Sequence, residues 1–239
     1  MQRRRATLPP MRAAYGSALL IVVLLAEAST AQTTERPRHQ GREVAPVMSF
    51  LGADWLERDD RDREENTTLL VHLLKVAEGD TVADLGCGSG YFARRLAPKV
   101  GPEGEVLCVD IQPEMLEIAD RLAREAGLEN VRMVRADVDD PNLPPGEVDL
   151  ILLVDVYHEL QAPAPMLEHM RRALSPTGRV ALVEYRAEGN TAQHIRPEHR
   201  MSVEQVRREW EPAGFELIEL NEELPTQHLF LYRAAELEP

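Results

Sequence analysis

The stretch Thr81-Val82-Ala83-Asp84-Leu85-Gly86-Cys87-Gly88-Ser89-Gly90-Tyr91 most constrains what this 239-residue chain folds into. It reads as a short buried strand with an acid near its end, then a glycine-rich turn, then a helix opening at Tyr91. Glycine admits positive φ and lets backbone approach a ligand with no Cβ in the way, so such a turn makes a small-molecule cradle. A dinucleotide fingerprint, G-x-G-x-x-G, would need a third glycine where this chain has Tyr91. That argues against NAD(P). No Lys-Ser/Thr pair follows the glycines, which excludes a Walker-type phosphate loop.

Beyond the turn, strand and helix patterns alternate. Tyr91 to Val100 is expected as a helix, Val106–Val109 as a continuous apolar strand ending in Asp110, and Pro113 to Ala126 as an amphipathic helix closed by Gly127. Val131–Val134, Val148–Val154 and Arg179–Val183 are the next strands, with a helix from Met166 to Leu174 between the last two. Ser202 with Gln205 forms a capping box for a helix to Trp210, and Phe215–Leu220 and His228–Tyr232 complete the strands. Uninterrupted apolar strands alternating with helices predict an α/β fold built on an open, mostly parallel sheet with helices on both faces.

In such sheets ligands bind outside the carboxyl ends of the strands. Asp84, Asp110, Asp137 and Asp155 fall at four successive strand ends, and Asp110 lies 20 positions after Gly90. That is the distance at which nucleotide folds place an acid for ribose hydroxyls. Asp84-Leu85-Gly86-Cys87-Gly88-Ser89-Gly90, Val109-Asp110-Ile111, Ala136-Asp137-Val138 and Leu153-Val154-Asp155-Val156-Tyr157-His158-Glu159 together resemble the successive motifs of class I S-adenosylmethionine (SAM) dependent methyltransferases. Phe50–Arg58 taken with His199-Arg200-Met201-Ser202 is similar to a poorly characterised bacterial group of these enzymes, often with export signals.

The resemblance implies a Rossmann-like seven-stranded sheet with an antiparallel last strand, and SAM as cofactor. It also implies roles. Asp84 with Gly86, Gly88, Gly90 and Tyr91 would hold the methionine part, and Asp110 the ribose. Ile111 would pack on the adenine, Asp137 and the Val138 amide would address its edge, and Asp155 would lie beside the sulfonium. For a general base the residues in reach are Tyr157, His158 and Glu159, and His158 has the suitable ordinary pKa. The catalytic set is therefore Asp155, Tyr157 and His158. Asp155, His158 and Glu159 do not by their spacing assemble a compact ligand set without a distant partner, so no metal is expected. His199 and Arg200 either close over the acceptor or cap a surface loop.

The expected reaction is methyl transfer from SAM to a small-molecule acceptor. A SAM-binding protein without turnover is the rival reading, and an NAD(P) oxidoreductase the weaker one. The chain carries a net charge of −14; residues 1–31 hold four Arg and one Glu, so removing them takes it to −17. Such a surface repels nucleic acid, which is not expected as a partner.

Arg3-Arg4-Arg5 and Arg12 precede an apolar run from Ala13 to Ala26 and small residues at Ala28 and Ala31. Residues 1–31 therefore read as a secretory signal peptide or a short anchor, the sole expected membrane contact. Residues 32–48 read as a linker and residues 49–239 as the enzyme domain. Export is expected, with the cytoplasm as alternative because SAM is made there. The charged run Glu57–Glu65 reads as a solvated face. Cys87 in the turn and Cys108 in a strand are expected as free thiols.

Overall fold

The computed structural model describes residues 36–235, so the signal or anchor segment expected over residues 1–31 lies outside the described residues. Seven strands form the main sheet: β1 (Thr81–Leu85), β2 (Glu105–Asp110), β3 (Val131–Arg135), β4 (Val148–Val154), β5 (Leu174–Arg186), β6 (Phe215–Asn221) and β7 (Gln227–Ala234). Their order is β3-β2-β1-β4-β5-β7-β6. All pairs are parallel except those of β7, which runs against both β5 and β6. This is the expected seven-stranded sheet, with one addition: Arg200–Met201 pairs in parallel with Tyr185–Arg186 at the end of β5.

The central strands are mostly apolar because helices cover both faces, whereas the edge strands β3 and β6 expose charged residues. Two short helices, α1 (Ala53–Leu56) and α2 (Arg61–Glu65), precede those packed on β1. Successive residues of β1 alternate sides: Val82 packs with α3 (Thr67–Leu73) and α4 (Tyr91–Val100), whereas Ala83 and Leu85 pack with α6 (Pro163–Ala173) and α7 (Val203–Trp210). Helix α5 (Pro113–Glu125) sends Leu116 and Ala119 to the α4 side. It ends as expected, with Gly127 at φ +69° just past the cap. The start of β5 is irregular over Ser175–Gly178, between the expected helix and the expected strand at Arg179: Leu174 faces Val148 and Arg179 faces Leu150.

Three expectations are corrected. Residues 36–48 are not a free linker. Arg38–His39 and Arg42–Glu43 form a small hairpin, Val44 and Ala45 are buried, and the Arg42 guanidinium donates to Glu209 Oε1 at 2.8 Å and to the carbonyl of His158 at 3.0 Å. Composition alone missed this because the anchoring partners lie more than 100 residues away.

The charged run is solvated on one side only: Asp59, Asp62, Arg63 and Glu64 are exposed, but its other side is buried. Arg61 and Glu65 are only 5% and 4% exposed and pair at 2.9 Å, while Arg94 reaches Glu57 at 2.6 Å. Thirdly, Cys87 and Cys108 form a disulfide rather than staying free. The Gly86 and Cys87 amides both donate to the Val109 carbonyl, folding the turn back over β2. That brings the two cysteine Cα atoms to 5.4 Å, inside the bridging range.

Candidate active site

The sheet order reverses between β1 and β4, which opens a crevice at their carboxyl ends. A cavity of about 490 Å3 occupies it. Its floor is the glycine turn. Gly86, Gly88 and Gly90 take φ values of +74°, +53° and +76°. A Cβ on Gly86 would meet Val156 Cγ1 at 2.5 Å and one on Gly88 would meet Leu56 Cδ1 at 2.6 Å, and both of those side chains are cavity walls. Gly90 is different. It opens α4 without lining the cavity, and its absent Cβ makes room for Ala119 of α5, which gives it a place in helix packing.

The strand-end acids converge on this cavity. Asp110 is held by two amides, Gly88 N at 3.0 Å on Oδ2 and Gln112 N at 2.8 Å on Oδ1. Burial pushes its carboxyl up, against those same amides. Each carboxylate oxygen can accept about two hydrogen bonds, so both keep capacity for a ligand hydroxyl. Asp84 accepts from Ala93 N at 3.0 Å in the first turn of α4, and burial raises it to about 7 although that amide and Arg61 pull it down. Ile111, Asp137 and Val138 stand at the outer rim, with Asp137 and Val138 exposed, and Tyr91 lines the inner wall.

Asp155 sits at φ +55°, a strained conformation for a residue with a Cβ. Its Oδ2 accepts from Gln227 Nε2 at 2.8 Å, while Oδ1 is buried with no hydrogen-bond partner. Burial, then the charges of Glu65 and Glu184, push its carboxyl well above the ordinary range, with Arg61 opposing. A buried acid with an orphaned oxygen beside a glycine cradle suits a ligand that carries positive charge. The residues present therefore fit SAM, a zwitterion with an additional sulfonium.

The other end of the cavity is built by segments outside the strand ends. Met48, Trp55, Ile195 and His199 line it together with His158 and Glu159 from a one-turn helix after β4. Gln112 clips this roof down, donating to the Met48 carbonyl at 2.9 Å and accepting from Phe50 N at 3.0 Å. His158 Nδ1 lies 2.5 Å from Glu184 Oε2, and its Nε2 lies 3.0 Å from His199 Nδ1. Burial alone would lower the His158 pKa, but the charge and hydrogen bond of Glu184 raise it overall. Burial and the His158 charge lower His199. Burial carries Glu159 up to about 7.

Of the three residues expected to be catalytic, Asp155 and His158 face the cavity and Tyr157 does not. Tyr157 is fully buried, packs 5.2 Å from the Trp210 ring, and donates to Glu209 Oε2 at 2.8 Å. In the short helix after β4 its neighbour takes the cavity side, so Tyr157 serves to anchor the Arg42 hairpin instead. Sequence reasoning missed Arg61 and Glu65 as cavity supports. Their i, i+4 spacing was visible, but Asp84, Tyr91 and Tyr185 around them were not.

Residues 77–226 match a family model described as a methyltransferase domain. The chain is 32% identical over 121 residues to the ubiquinone/menaquinone biosynthesis C-methyltransferase UbiE of Ectopseudomonas mendocina (strain ymp), covering 50% of this chain and 47% of that protein. It is 30% identical over 157 residues to the aklanonic acid methyltransferase DauC of Streptomyces sp. (strain C5), covering 61% of this chain and 68% of that protein. The chain thus spans about half the length of that UbiE relative. Among solved structures, a SAM-dependent methyltransferase from Aquifex aeolicus superimposes with a TM-score of 0.72 at 26% identity, over 78% of this chain and 98% of the other.

Proposed function

Because the chain belongs to the class I SAM-dependent methyltransferase family, we propose that it transfers a methyl group from SAM to a small-molecule acceptor held at the Met48–His199 end of the cavity. When bound, SAM supplies an electrophilic methyl carbon on a sulfonium; the chain supplies alignment and charge. Asp110 accepts the ribose hydroxyls, Ile111 packs on the adenine, and Asp137 with the Val138 amide addresses the adenine edge. Gly86 and Gly88 let backbone approach the methionine part while Asp84 and Tyr91 wall it. Asp155 presents its orphaned oxygen to the cationic centre. His158, fixed through Nδ1 by Glu184, turns Nε2 toward the acceptor end.

The observation that carries this reading is Asp110, gripped by the Gly88 and Gln112 amides at the rim of a turn that leaves no room for a Cβ at Gly86. A small organic acceptor is favoured by the partly apolar walls at the far end and by the small organic molecules for which the similar UbiE and DauC methyltransferases are named. Titration calorimetry with SAM and with NADH tests the cofactor: folded protein that binds no SAM would end this reading. Labelled-methyl transfer to a metabolite extract then separates an enzyme from a SAM-binding protein without turnover.

Export of the domain is part of the same proposal. The Arg-rich, apolar amino terminus supports it, and so does the Cys87–Cys108 disulfide, since such bonds persist in oxidising compartments. Fractionation of the native host with an antibody decides it, and recovery solely in the cytosol would refute it.

A further inference from the structure

We propose that His158, His199 and Glu159 form a binding site for one divalent first-row transition cation, such as zinc or iron(II), at the acceptor end of the cavity. Each offers one atom: His158 Nε2 to His199 Nδ1 is 3.0 Å, His158 Nε2 to Glu159 Oε1 is 3.9 Å, and His199 Nδ1 to Glu159 Oε1 is 3.8 Å. A point equidistant from these three atoms lies about 2.1 Å from each, which is the bond length of such a cation to imidazole nitrogen and carboxylate oxygen. Two imidazole nitrogens 3.0 Å apart need a proton or a cation between their lone pairs. The carboxylate that closes the triangle at bonding distance from the same point favours the cation.

The surroundings are those of a ligand set. With Glu184 accepting from His158 Nδ1, the neutral ring carries its lone pair on Nε2 and is held in orientation, the carboxylate–histidine arrangement that supports bound metals. The second oxygen of Glu159 is fixed by the Met48 amide at 3.3 Å. Among the described residues no Lys or Arg pairs with Glu159 or Glu184, so two largely buried carboxylates share the site with only the two imidazoles. The spacing of Asp155, His158 and Glu159 lacked a distant partner. His199, 41 residues from His158 and brought in by the segment before Arg200–Met201, is that partner.

Two histidines and one glutamate leave a coordination position open, as catalytic rather than structural cations require. That position faces the cavity and fits an acceptor with a hydroxyl, thiol or enol group. Such a group binds as its anion, its proton passing to solvent. This acceptor class rests on the methyl-transfer reading; the cation site itself does not.

The test uses the full chain without an affinity tag, stripped with EDTA and titrated calorimetrically with zinc chloride and, separately, manganese chloride, with SAM titrated into the same stripped protein. The expected result is 1:1 binding of zinc, weakened at least about tenfold in both His199→Ala and Glu159→Gln, with folding of each variant checked by circular dichroism. Glu159→Gln keeps the side-chain shape, so it remains informative if His199→Ala fails to fold. Wild-type protein that takes up no cation, or a folded variant that binds zinc as tightly as wild type, overturns the site. SAM binding without cation binding would overturn the site and leave the methyltransferase reading standing. Cation binding without SAM binding would do the reverse.

Discussion

Replacing Arg61 by Met should remove the most deeply buried cation beside the interior acids. The Arg61 guanidinium is 5% exposed, pairs with Glu65 Oε2 at 2.9 Å, donates to the Leu56 carbonyl at 3.0 Å and lies 4.3 Å over the Tyr91 ring. Glu65 is itself 4% exposed and keeps Arg58 Nη2 at 2.5 Å, so the substitution leaves a buried carboxylate with one of its two cations. Breaking a buried pair from one side costs ~3–5 kcal/mol when the remaining charge is left alone, so about half of that, ~2 kcal/mol, is expected here. At ~2–4 °C per kcal/mol for a domain of this size, the midpoint of thermal unfolding should fall by roughly 4–8 °C.

The cost should also depend on pH. Asp84 has a folded pKa of about 7, against an ordinary value near 3.8, and Arg61 is among the groups holding it down. A raised acid favours folding below its unfolded pKa and loses that contribution as pH climbs through its folded pKa. At pH 5 Asp84 is protonated in the fold with or without Arg61, so this part of the penalty is absent. At pH 8 it must ionise without its cation or stay protonated, which adds about 1.4 kcal/mol for each unit the pKa rises. Urea unfolding at the two pH values reads both effects. A loss below about 1 kcal/mol, or an equal loss at pH 5 and 8, would refute the role given to Arg61. The double variant Arg61→Met, Glu65→Met should recover at least half of the loss, since no unpaired charge is then left at that position.

Further outcomes follow from the cradle. Gly86→Ala places a Cβ 2.5 Å from Val156 Cγ1 at φ +74° and should cost ~2 kcal/mol or more and abolish SAM binding by calorimetry, whereas Gly127→Ala, at φ +69° with nothing within 4 Å, should cost ~1 kcal/mol and leave binding intact. Asp110→Asn should weaken SAM by ~10–100-fold and also lower the melting temperature, because its NH2 must face the Gly88 or the Gln112 amide donor; unchanged affinity removes its ribose role. Reducing the Cys87–Cys108 bond, which closes a loop of 21 residues, should destabilise the domain by about 3 kcal/mol in urea unfolding with and without reductant, and two free thiols per chain in denatured, unreduced protein would contradict the bond.

The sheet was readable because its strands are buried on both faces. Val106–Val109 and Leu150–Val154 are apolar without interruption, and Gly104 and Gly146 stand shortly before them. The strand-end acids were readable for a related reason: each lies at or just past the end of a strand, and parallel strands in register deliver their ends to one edge. What escaped depends on approach between distant segments. Cys87 meets Cys108 only because two turn amides fold onto the Val109 carbonyl, and the composition of the chain carries no trace of that. His199 reaches His158 through a loop and a one-turn helix with no periodicity. Tyr157 and His158 are adjacent in sequence, yet one enters the core and the other the cavity, a choice made by where Glu209 and Glu184 sit.

The Gln112 clip joins two differently made halves of one chamber. The half holding Asp110 is dictated by where parallel strands stop and cannot change without disturbing the sheet. The half holding Met48, Trp55 and His199 comes from irregular segments that touch the sheet mainly at its rim. Acceptor preference is therefore separable from cofactor grip: residues 42–56 and 187–199 exchanged together between relatives should carry a new appetite onto an unaltered engine.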